Sequence, residues 1–388
     1  MTIRLARRTL FAGTAALAAA RTMATRPAQA EAATAPVGAL ERVVAAQAPT
    51  TPTGLTLSAD GRMFLFMPRF DERTVFTAGE VFPDGRVVPY PNEAANRPDP
   101  ARPAETLFHV PNGVFDAQNR LWLLDAGLMA SSGEPVQGAA KLVCIDPVTN
   151  AILRTIPLQS VVTKSSSLND LRVDVRPGRE AAYITDQGQT GDGALIAVDL
   201  ASGRAVRRLA DHASTQSVPG ILKVVEGRVL LKREADGKTS PIKGGANGIA
   251  LSPDGARLYY TPLMSRRLHA VETAALLDAG KDDAAVAETV TDLGEKGLTG
   301  GLAADSRDRI YLSLQEFNGI GRRDPDGRVE VIATDPRLIW PDTFWITADG
   351  WLYLSSAQAN RRPEHNGGID RQEPPYAIFR MRIDAGPA

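Results

Sequence analysis

The sequence predicts an all-β protein, a six-bladed β-propeller with four-stranded antiparallel blades. The first observation is a repeat along the 388-residue chain: a short apolar strand, a turn rich in Asp, Gly and Asn, and a second strand that carries an aromatic residue. The six copies begin at Gly54, Gly113, Asn169, Asn247, Gly301 and Asp342. The second observation is the spacing of the copies, which leaves room for two further strands after each pair, as the four-stranded blades of a propeller require. The third observation is a shortage of helical patterns, since a parallel α/β fold would need a long helix after each strand.

Each copy is typical of a β-hairpin. Asp-Gly and related turns supply the positive φ that tight hairpins need, and the flanking residues alternate between apolar and polar. Residues 142–158 and 195–210 have the pattern of the outer strand pairs. The interval between Asn169 and Asn247 is the longest, so we expect an additional loop there.

One segment, residues 272–280, predicts a short helix inserted in the blade that begins at Asn247, ending near Gly280. With that insertion included, the repeats assign residues 49–388 to a single propeller. Residues 31–48 form an N-terminal segment before it.

The N-terminus has the pattern of an export signal over residues 1–30. Arg7 and Arg8 precede an apolar run from Leu10 to Ala20, and Ala28–Ala30 forms a small-x-small cleavage site. The paired arginines resemble a twin-arginine signal; the alternative is an ordinary secretory signal in which the pair is fortuitous. Either signal predicts a periplasmic or secreted protein and the export machinery as a partner.

Composition excludes several classes of function. The formal net charge is −1, with 44 basic and 45 acidic residues interleaved along the chain, so nucleic acid is not an expected partner. No stretch is apolar for long enough to predict a membrane span. The one cysteine, Cys144, lies in an apolar run and is interpreted as a buried strand residue rather than a nucleophile.

The residues just before each inner strand should form a ring at one end of the central channel. Alignment of the six turns places these residues in the ring: Thr53, Pro111, Asn169, Asn247, Gly300 and Asp342. Asn169, Asn247 and Asp342 are oxygen donors suited to Ca²⁺ or Mg²⁺. The alternative is that these side chains only cap turns and satisfy backbone groups.

Other candidates surround this ring. Asn112 and Asp170 adjoin ring positions, and we expect them to contact a small-molecule ligand. We expect the same of Gln358. Trp340 is a further candidate for the pocket wall, although blade packing is the simpler interpretation of all four tryptophans. Glu316 ends a predicted strand and could act as a catalytic base, with a solvated loop carboxylate as the alternative.

Two further positions have simpler interpretations. Asp186 fits a strand-end turn, and His365 fits an exposed loop. The four histidines show no zinc-ligand spacing.

Three long segments of the chain resemble the Major Royal Jelly/Yellow family. They are SSLNDLRVDVRPGREAAYITDQG (166–188), NGIALSPDGARLYYTPLMSRRLHAV (247–271) and DPRLIWPDTFWITADGWLYLSSAQ (335–358). The resemblance extends from about residue 49 to the C-terminus and implies the six-bladed propeller. The family implies no single activity, because its members include proteins associated with dopachrome tautomerisation, nutritive secreted proteins and binders of small amines.

The fold also resembles regucalcin and gluconolactonase propellers, which hold a divalent cation at the channel mouth with carboxylate and Asn ligands. This chain departs from those proteins in its first blade, where Thr53 stands in place of a glutamate ligand.

Two functional hypotheses remain from the sequence. The first is an enzyme acting on a small polar or cyclic metabolite, a tautomerase or a lactone hydrolase, with Asp342 as base or ligand. Asn169 and Asn247 would then be ligands or oxyanion-side donors. The second is a non-catalytic binder of amines or other metabolites in the same channel. A third interpretation, a platform for protein interaction, would need a large exposed apolar patch.

Overall fold

A computed structural model describes residues 39–71, 73–130, 133–234 and 236–388. The predicted export signal, residues 1–30, lies outside the described residues. Within the described part, six four-stranded antiparallel sheets account for the propeller, and two small hairpins are added to it. No helix in these ranges is long and apolar enough to cross a membrane.

The first strand of the chain, β1 (Glu41–Ala46), belongs to the last blade, and the next twelve strands form blades one to three in order. Blade one contains β2 (Gly54–Leu57), β3 (Met63–Phe66), β4 (Ala78–Val81) and β5 (Val87–Pro89). Blade two contains β6 (Asn112–Phe115), β7 (Leu121–Asp125), β8 (Lys141–Ile145) and β9 (Ile152–Pro157). Blade three contains β10 (Leu168–Asp174), β11 (Ala181–Asp186), β12 (Ala194–Asp199) and β13 (Ala205–Arg208).

The longest interval between repeats holds two hairpins that belong to no blade. They are formed by β14 (Val224–Val225) with β15 (Arg228–Val229), and by β16 (Leu231–Arg233) with β17 (Thr239–Pro241). The prediction of an additional loop between Asn169 and Asn247 is therefore confirmed.

Blades four to six complete the circle. Blade four contains β18 (Ala246–Leu251), β19 (Arg257–Pro262), β20 (Arg267–Glu272) and β21 (Thr291–Glu295). Blade five contains β22 (Thr299–Ala304), β23 (Ile310–Leu314), β24 (Gly319–Arg323) and β25 (Val329–Thr334). Blade six contains β26 (Pro341–Ile346), β27 (Trp351–Ser356), β28 (Tyr376–Arg382) and β1. Each inner strand contacts the inner strand of the next blade, and β26 contacts β2, so the ring closes.

Strand β1 joins the two ends of the chain. It pairs antiparallel with β28, from Glu41 opposite Arg380 to Ala46 opposite Tyr376. The propeller thus includes residues that the sequence analysis placed in the segment 31–48. A single outer strand has no hairpin partner in the sequence, so the repeat pattern gives no signal for it.

The turns of the inner hairpins explain why the repeat is visible in the sequence. In blade one, Ser58 Oγ accepts a hydrogen bond from Arg62 N at 2.9 Å, and Gly61 adopts a φ of 86°. Blade four repeats the arrangement with Ser252 and with Gly255, whose φ is 64°. A residue with a side chain is strained at such a φ, so each turn selects glycine.

The helical insertion lies between β20 and β21 of blade four. It consists of α1 (Thr273–Leu277) and α2 (Asp283–Ala287). The prediction of a short helix is confirmed, although α1 ends before Gly280 and a second helix follows. Asp282 caps α2 by accepting a hydrogen bond from Ala285 N at 2.9 Å.

Apolar side chains fill the spaces between neighbouring blades. Leu124 of blade two and Ile184 of blade three are fully buried in one such cluster. Trp345, on the inner strand of blade six, packs against the clusters on both sides of blade one. The side chains therefore hold the inner strands at fixed positions around the channel.

Candidate functional site

All six predicted ring residues line one cavity at the channel mouth. Its volume is about 570 Å³, within the range of small-molecule sites. The floor consists of the ring itself: Thr53, Pro111, Asn169, Asn247, Gly300 and Asp342. Four blades thus contribute polar side chains to one space, as the alignment of the turns predicted.

Asp342 is the carboxyl group in this floor. Trp340 Nε1 donates a hydrogen bond to its Oδ2 at 3.3 Å. Burial raises the pKa of the Asp342 carboxyl well above its ordinary value, and the nearby Asp170 carboxylate raises it further. A carboxyl group in this environment favours its protonated, uncharged form more than an exposed carboxyl does.

Trp340 forms part of the cavity wall, as predicted, and is 7% exposed. Its φ is 55°, an unfavourable conformation for a bulky residue. The loop is held there because Ile339 N donates to Ser356 Oγ at 3.0 Å and Ala357 N donates to Trp340 O at 3.0 Å. The strained backbone places the indole beside Asp342. Strained backbone conformations of this kind are concentrated at functional sites.

The two ring asparagines differ in their partners. Asn247 Nδ2 donates to Gln187 Oε1 at 2.9 Å, which leaves its carbonyl oxygen free for another group. The side chain of Asn169 makes no hydrogen bond within the described residues and faces the cavity. Both amides are therefore available to a ligand.

These oxygens also provide a test of the predicted cation site. Asn169, Asn247 and Asp342 offer three oxygen donors from three blades, a set of the type that Ca²⁺ and Mg²⁺ prefer. Only Asp342 carries formal charge, and Thr53 uses its hydroxyl to donate to Pro111 O at 3.1 Å. Within the described ranges no group of three or more His, Cys, Asp or Glu side chains is arranged for a metal. The donors fit a hard cation in type, and their low charge predicts weak binding.

Asn112 and Asp170 lie beneath the floor rather than in the cavity. Asn112 Nδ2 donates to Asp170 Oδ1 at 2.6 Å, and the two residues are 0% and 4% exposed. The sequence analysis expected both to contact a ligand directly. They instead link blades two and three and set the charge below Asp342.

Arg172 closes the channel below this pair. Its Nη2 donates to Leu302 O at 2.5 Å, which joins the inner strand of blade three to that of blade five. Burial lowers the pKa of the Arg172 guanidinium, and Asp170 opposes this effect. The sequence analysis did not single out Arg172, because an arginine on a strand is commonly exposed.

Glu316 and Gln358, both predicted site residues, are engaged outside the cavity. Glu316 accepts a hydrogen bond from Val224 N at 2.9 Å and lies 3.4 Å from Arg266 Nη1. Gln358 accepts from Glu373 N at 2.8 Å and donates to Glu373 O at 3.1 Å. Both side chains attach loops to the propeller. Neither Glu316 nor Gln358 therefore lies where it could act in catalysis or contact a ligand in the cavity.

Two segments, here called the roof, cover part of the cavity mouth. The roof consists of the two hairpins (residues 222–234 and 236–243) and the loop 359–365 of blade six. The two segments are joined by an ion pair of 2.7 Å between Glu226 and Arg361. His365 Nδ1 lies 3.1 Å from Leu231 O, and this histidine lines the cavity instead of an exposed surface.

Arg362, from the same loop, covers an aromatic wall. Its guanidinium lies 3.4 Å from the centroid of the Phe70 ring and pairs with Glu364. The pair occupies one side of the mouth, so a ligand must enter past other roof residues.

Lys223 is a buried residue behind the wall that sequence reasoning missed. Its Nζ donates to Gln315 Oε1 at 2.5 Å and lies 4.9 Å from the centroid of the Trp340 ring. Burial lowers the pKa of Lys223 to about 7, while Glu316 and Asp342 act in the opposite direction. The lysine follows an exposed leucine in an irregular insertion, so no periodic pattern marks it as buried.

The fold and cavity define a class, a six-bladed propeller with a small-molecule cavity at the channel mouth. Residues 113–384 match the sequence profile described as Major royal jelly protein, and the chain belongs to this family. Major royal jelly protein 3 of Apis mellifera is 26% identical over 191 residues, 48% of this chain and 32% of that protein. The match thus spans about a third of that relative's length.

Solved structures share the fold at low identity. A gluconolactonase of Xanthomonas campestris is 14% identical with a TM-score of 0.52, covering 90% of this chain and 91% of its own. Regucalcin of Agrobacterium tumefaciens, described as a calcium-binding protein, is 16% identical with a TM-score of 0.52, covering 91% and 98%. Likeness at this level establishes a common propeller fold and no common activity.

Proposed function

We propose that this protein is an exported enzyme that transfers a proton on a small polar or cyclic metabolite bound in the channel cavity. The observation that carries the proposal is the Asp342 carboxyl, which lies in the floor of a partly covered cavity with its pKa raised. Tautomerisation and lactone hydrolysis are the two reaction types that this arrangement suits.

The side chains of the floor have distinct roles in the proposed reaction. Asp342 holds a proton that it can give to a ligand oxygen, and Trp340 Nε1 orients the carboxyl through Oδ2. The side-chain N–H groups of Asn169, which make no hydrogen bond within the described residues, lie on the same cavity and stabilise negative charge that develops on that oxygen. Asn247, whose Nδ2 donates to Gln187, offers its carbonyl oxygen to a donor group of the ligand. Asp170 below the floor raises the pKa of Asp342 further, and the buried Lys223 acts in the opposite direction.

A divalent cation, when bound, would be held by Asn169, Asn247 and Asp342 and would polarise a ligand oxygen. Elemental analysis of the purified protein tests whether a cation accompanies it. A stoichiometric metal that is lost in Asp342→Asn would support Asp342 as a ligand, and a wild type without metal would leave Asp342 to act as the acid.

The central experiment compares Asp342→Asn with the wild type on L-dopachrome and glucono-1,5-lactone. We expect a loss of turnover of at least about 100-fold, since a positioned acid or base contributes about that much or more. Asp308→Asn is the matched control, because burial also raises the pKa of that carboxyl and it lies on a separate surface groove. Full activity in Asp342→Asn would contradict the proposal.

A non-catalytic binder of small amines is the second candidate. It is favoured by the indole of Trp340 on the cavity wall, with the Asp342 carboxyl group beside it. This candidate predicts that dopamine binds to the wild type without turnover of either substrate, and that Asp342→Asn weakens the binding.

Export belongs to the same proposal and rests on the N-terminal pattern around Arg7 and Arg8. The mature protein should begin at Glu31. Mass spectrometry of protein recovered from the periplasm or medium tests this, and an intact N-terminus would contradict it.

A further inference from the structure

His109 is a buried cavity residue whose ring forms no hydrogen bond of normal geometry. Several buried side-chain atoms in the described part of the chain have no hydrogen-bond partner, and one of these atoms is His109 Nδ1. Among those atoms, it alone belongs to a residue that lines the channel cavity. The residue is 4% exposed, so solvent does not readily satisfy the ring. Buried polar atoms are normally paired, so an unpaired one on a cavity wall indicates a group that a ligand completes.

The main chain, rather than the ring, holds this residue in place. His109 N donates to Asp125 Oδ1 at 3.0 Å, and its carbonyl accepts from Ala126 N at 2.8 Å. The ring meets Phe70 edge to face, with centroids 6.0 Å apart. The imidazole is thus oriented by packing, and its two nitrogens remain free of strong bonds to the protein.

The surroundings keep the imidazole uncharged. Burial lowers the pKa of His109 to about 4, and the guanidinium groups of Arg69 and Arg362 lower it further, against the carboxylate of Asp125. The Arg69 carbonyl interacts weakly with the ring, which favours a proton on the facing nitrogen. The other nitrogen is then a free acceptor.

We propose that His109 is a second functional residue of the cavity, whose uncharged imidazole accepts a hydrogen bond from a hydroxyl group of the bound molecule. The inference rests on the function proposed above and assigns its ligand a hydroxyl group at this side of the cavity. The free ring nitrogen then gains the partner that the protein does not supply. No covalent bond changes at His109, and the proton transfer stays with Asp342.

Two substitutions separate the hydrogen bond from the packing of the ring. His109→Gln keeps a hydrogen-bond acceptor of similar reach, whereas His109→Phe keeps only the packing against Phe70. Neither change removes a side-chain hydrogen bond found in the described residues, so both variants should fold. His269→Gln is the matched control, because His269 is also buried with an unpaired Nδ1 but does not line the cavity.

The assays use L-dopachrome for turnover and catechol, titrated by calorimetry, for binding. We expect His109→Gln to keep catechol affinity within about fivefold of the wild type, because its amide oxygen still accepts the hydrogen bond. We expect His109→Phe to weaken catechol binding by at least about tenfold. His269→Gln should match the wild type in both assays.

The outcomes distinguish this inference from the proposed function. Catechol affinity that is unchanged in His109→Phe, with turnover lost in Asp342→Asn, would overturn the role of His109 alone. Binding of catechol that depends on His109, without turnover of dopachrome, would support the ligand contact and contradict the proposed enzyme. Failure of the wild type to bind catechol, or an equal effect of His269→Gln, would overturn the inference.

Discussion

Replacement of Lys141 by Met tests the buried charge pair that fixes the backbone beside the cavity. Lys141 Nζ donates to Asp125 Oδ2 at 2.8 Å, and the two side chains are 2% and 0% exposed. The ammonium also donates to three backbone carbonyls, those of Pro103, Thr106 and Ala139. The substitution keeps the aliphatic stem but leaves the Asp125 charge without its cation.

The expected loss follows from this geometry. Removal of one member of a buried pair costs about 3–5 kcal/mol, a large fraction of the total stability of a domain. In Asp125→Asn/Lys141→Met no buried charge remains, and the amide oxygen at the Oδ1 position can still accept from the backbone N–H groups of His109 and Gly127. The bond from Phe108 N to Oδ2 is lost. The double variant should therefore regain at least about 1 kcal/mol.

Urea denaturation at neutral pH, followed by tryptophan fluorescence, measures these differences. Lys164→Met is the control, because its pair with Glu134 is 84% and 61% exposed and should change stability by less than about 0.5 kcal/mol. A cost for Lys141→Met no larger than that of Lys164→Met would refute the reasoning.

Three further predictions concern pH and packing. The folded pKa of His109, about 4, lies below its ordinary 6.5, so only the unfolded state binds a proton between these values, and the free energy of unfolding decreases as the pH is lowered through this range. In acid denaturation, His109→Gln should remove about 3 kcal/mol of this decrease. The folded pKa of Lys223, about 7, lies below 10.5, so the free energy of unfolding should rise with pH between these values, and Lys223→Met should reduce that slope by one proton. A Cβ at Gly245 would lie 2.5 Å from the Gly193 backbone, so Gly245→Ala should lower the free energy of unfolding in urea by about 1–3 kcal/mol or more. Gly237→Ala, a change in open space at a φ of 84°, should lower it by about 1 kcal/mol.

The sequence was sufficient for the blades because the inner hairpins carry closely related turns. The turn Ser58–Arg62 uses a hydroxyl and a glycine of positive φ, and the turn Asp116–Arg120 uses a carboxylate and Asn119 at a φ of 57° in the same places, so the repeat is visible in the residues themselves. Alignment of the turns then located Asn169, Asn247 and Asp342 on one cavity, since equivalent positions of a closed ring must meet. Strand β1 was not predicted because it pairs with a strand at the opposite end of the chain.

The remaining site residues depend on long-range packing that no local pattern encodes. Lys223 is buried because the first roof hairpin folds back over Trp340, and this contact spans more than a hundred residues. His109 was set aside because the four histidines lack metal spacing, yet its position two residues before Pro111 places it at the ring. That proximity to a predicted ring residue was the one signal in the sequence that could have identified it.

Glu316 and Gln358 illustrate the opposite case. Both follow inner-hairpin strands, which is where cavity residues are expected. The additional loops of this chain bind them instead, through Val224 for Glu316 and Glu373 for Gln358. A residue at a strand end reaches the channel only when no inserted loop occupies its hydrogen-bonding groups.

The location of a bound ligand tests the central claim most directly. A crystal structure of the purified protein with catechol should show the ring in the cavity floor, within hydrogen-bonding distance of Asp342 and His109 and beside Trp340. Catechol bound only outside this cavity, or a cavity mouth closed by roof side chains in the crystal, would contradict the account.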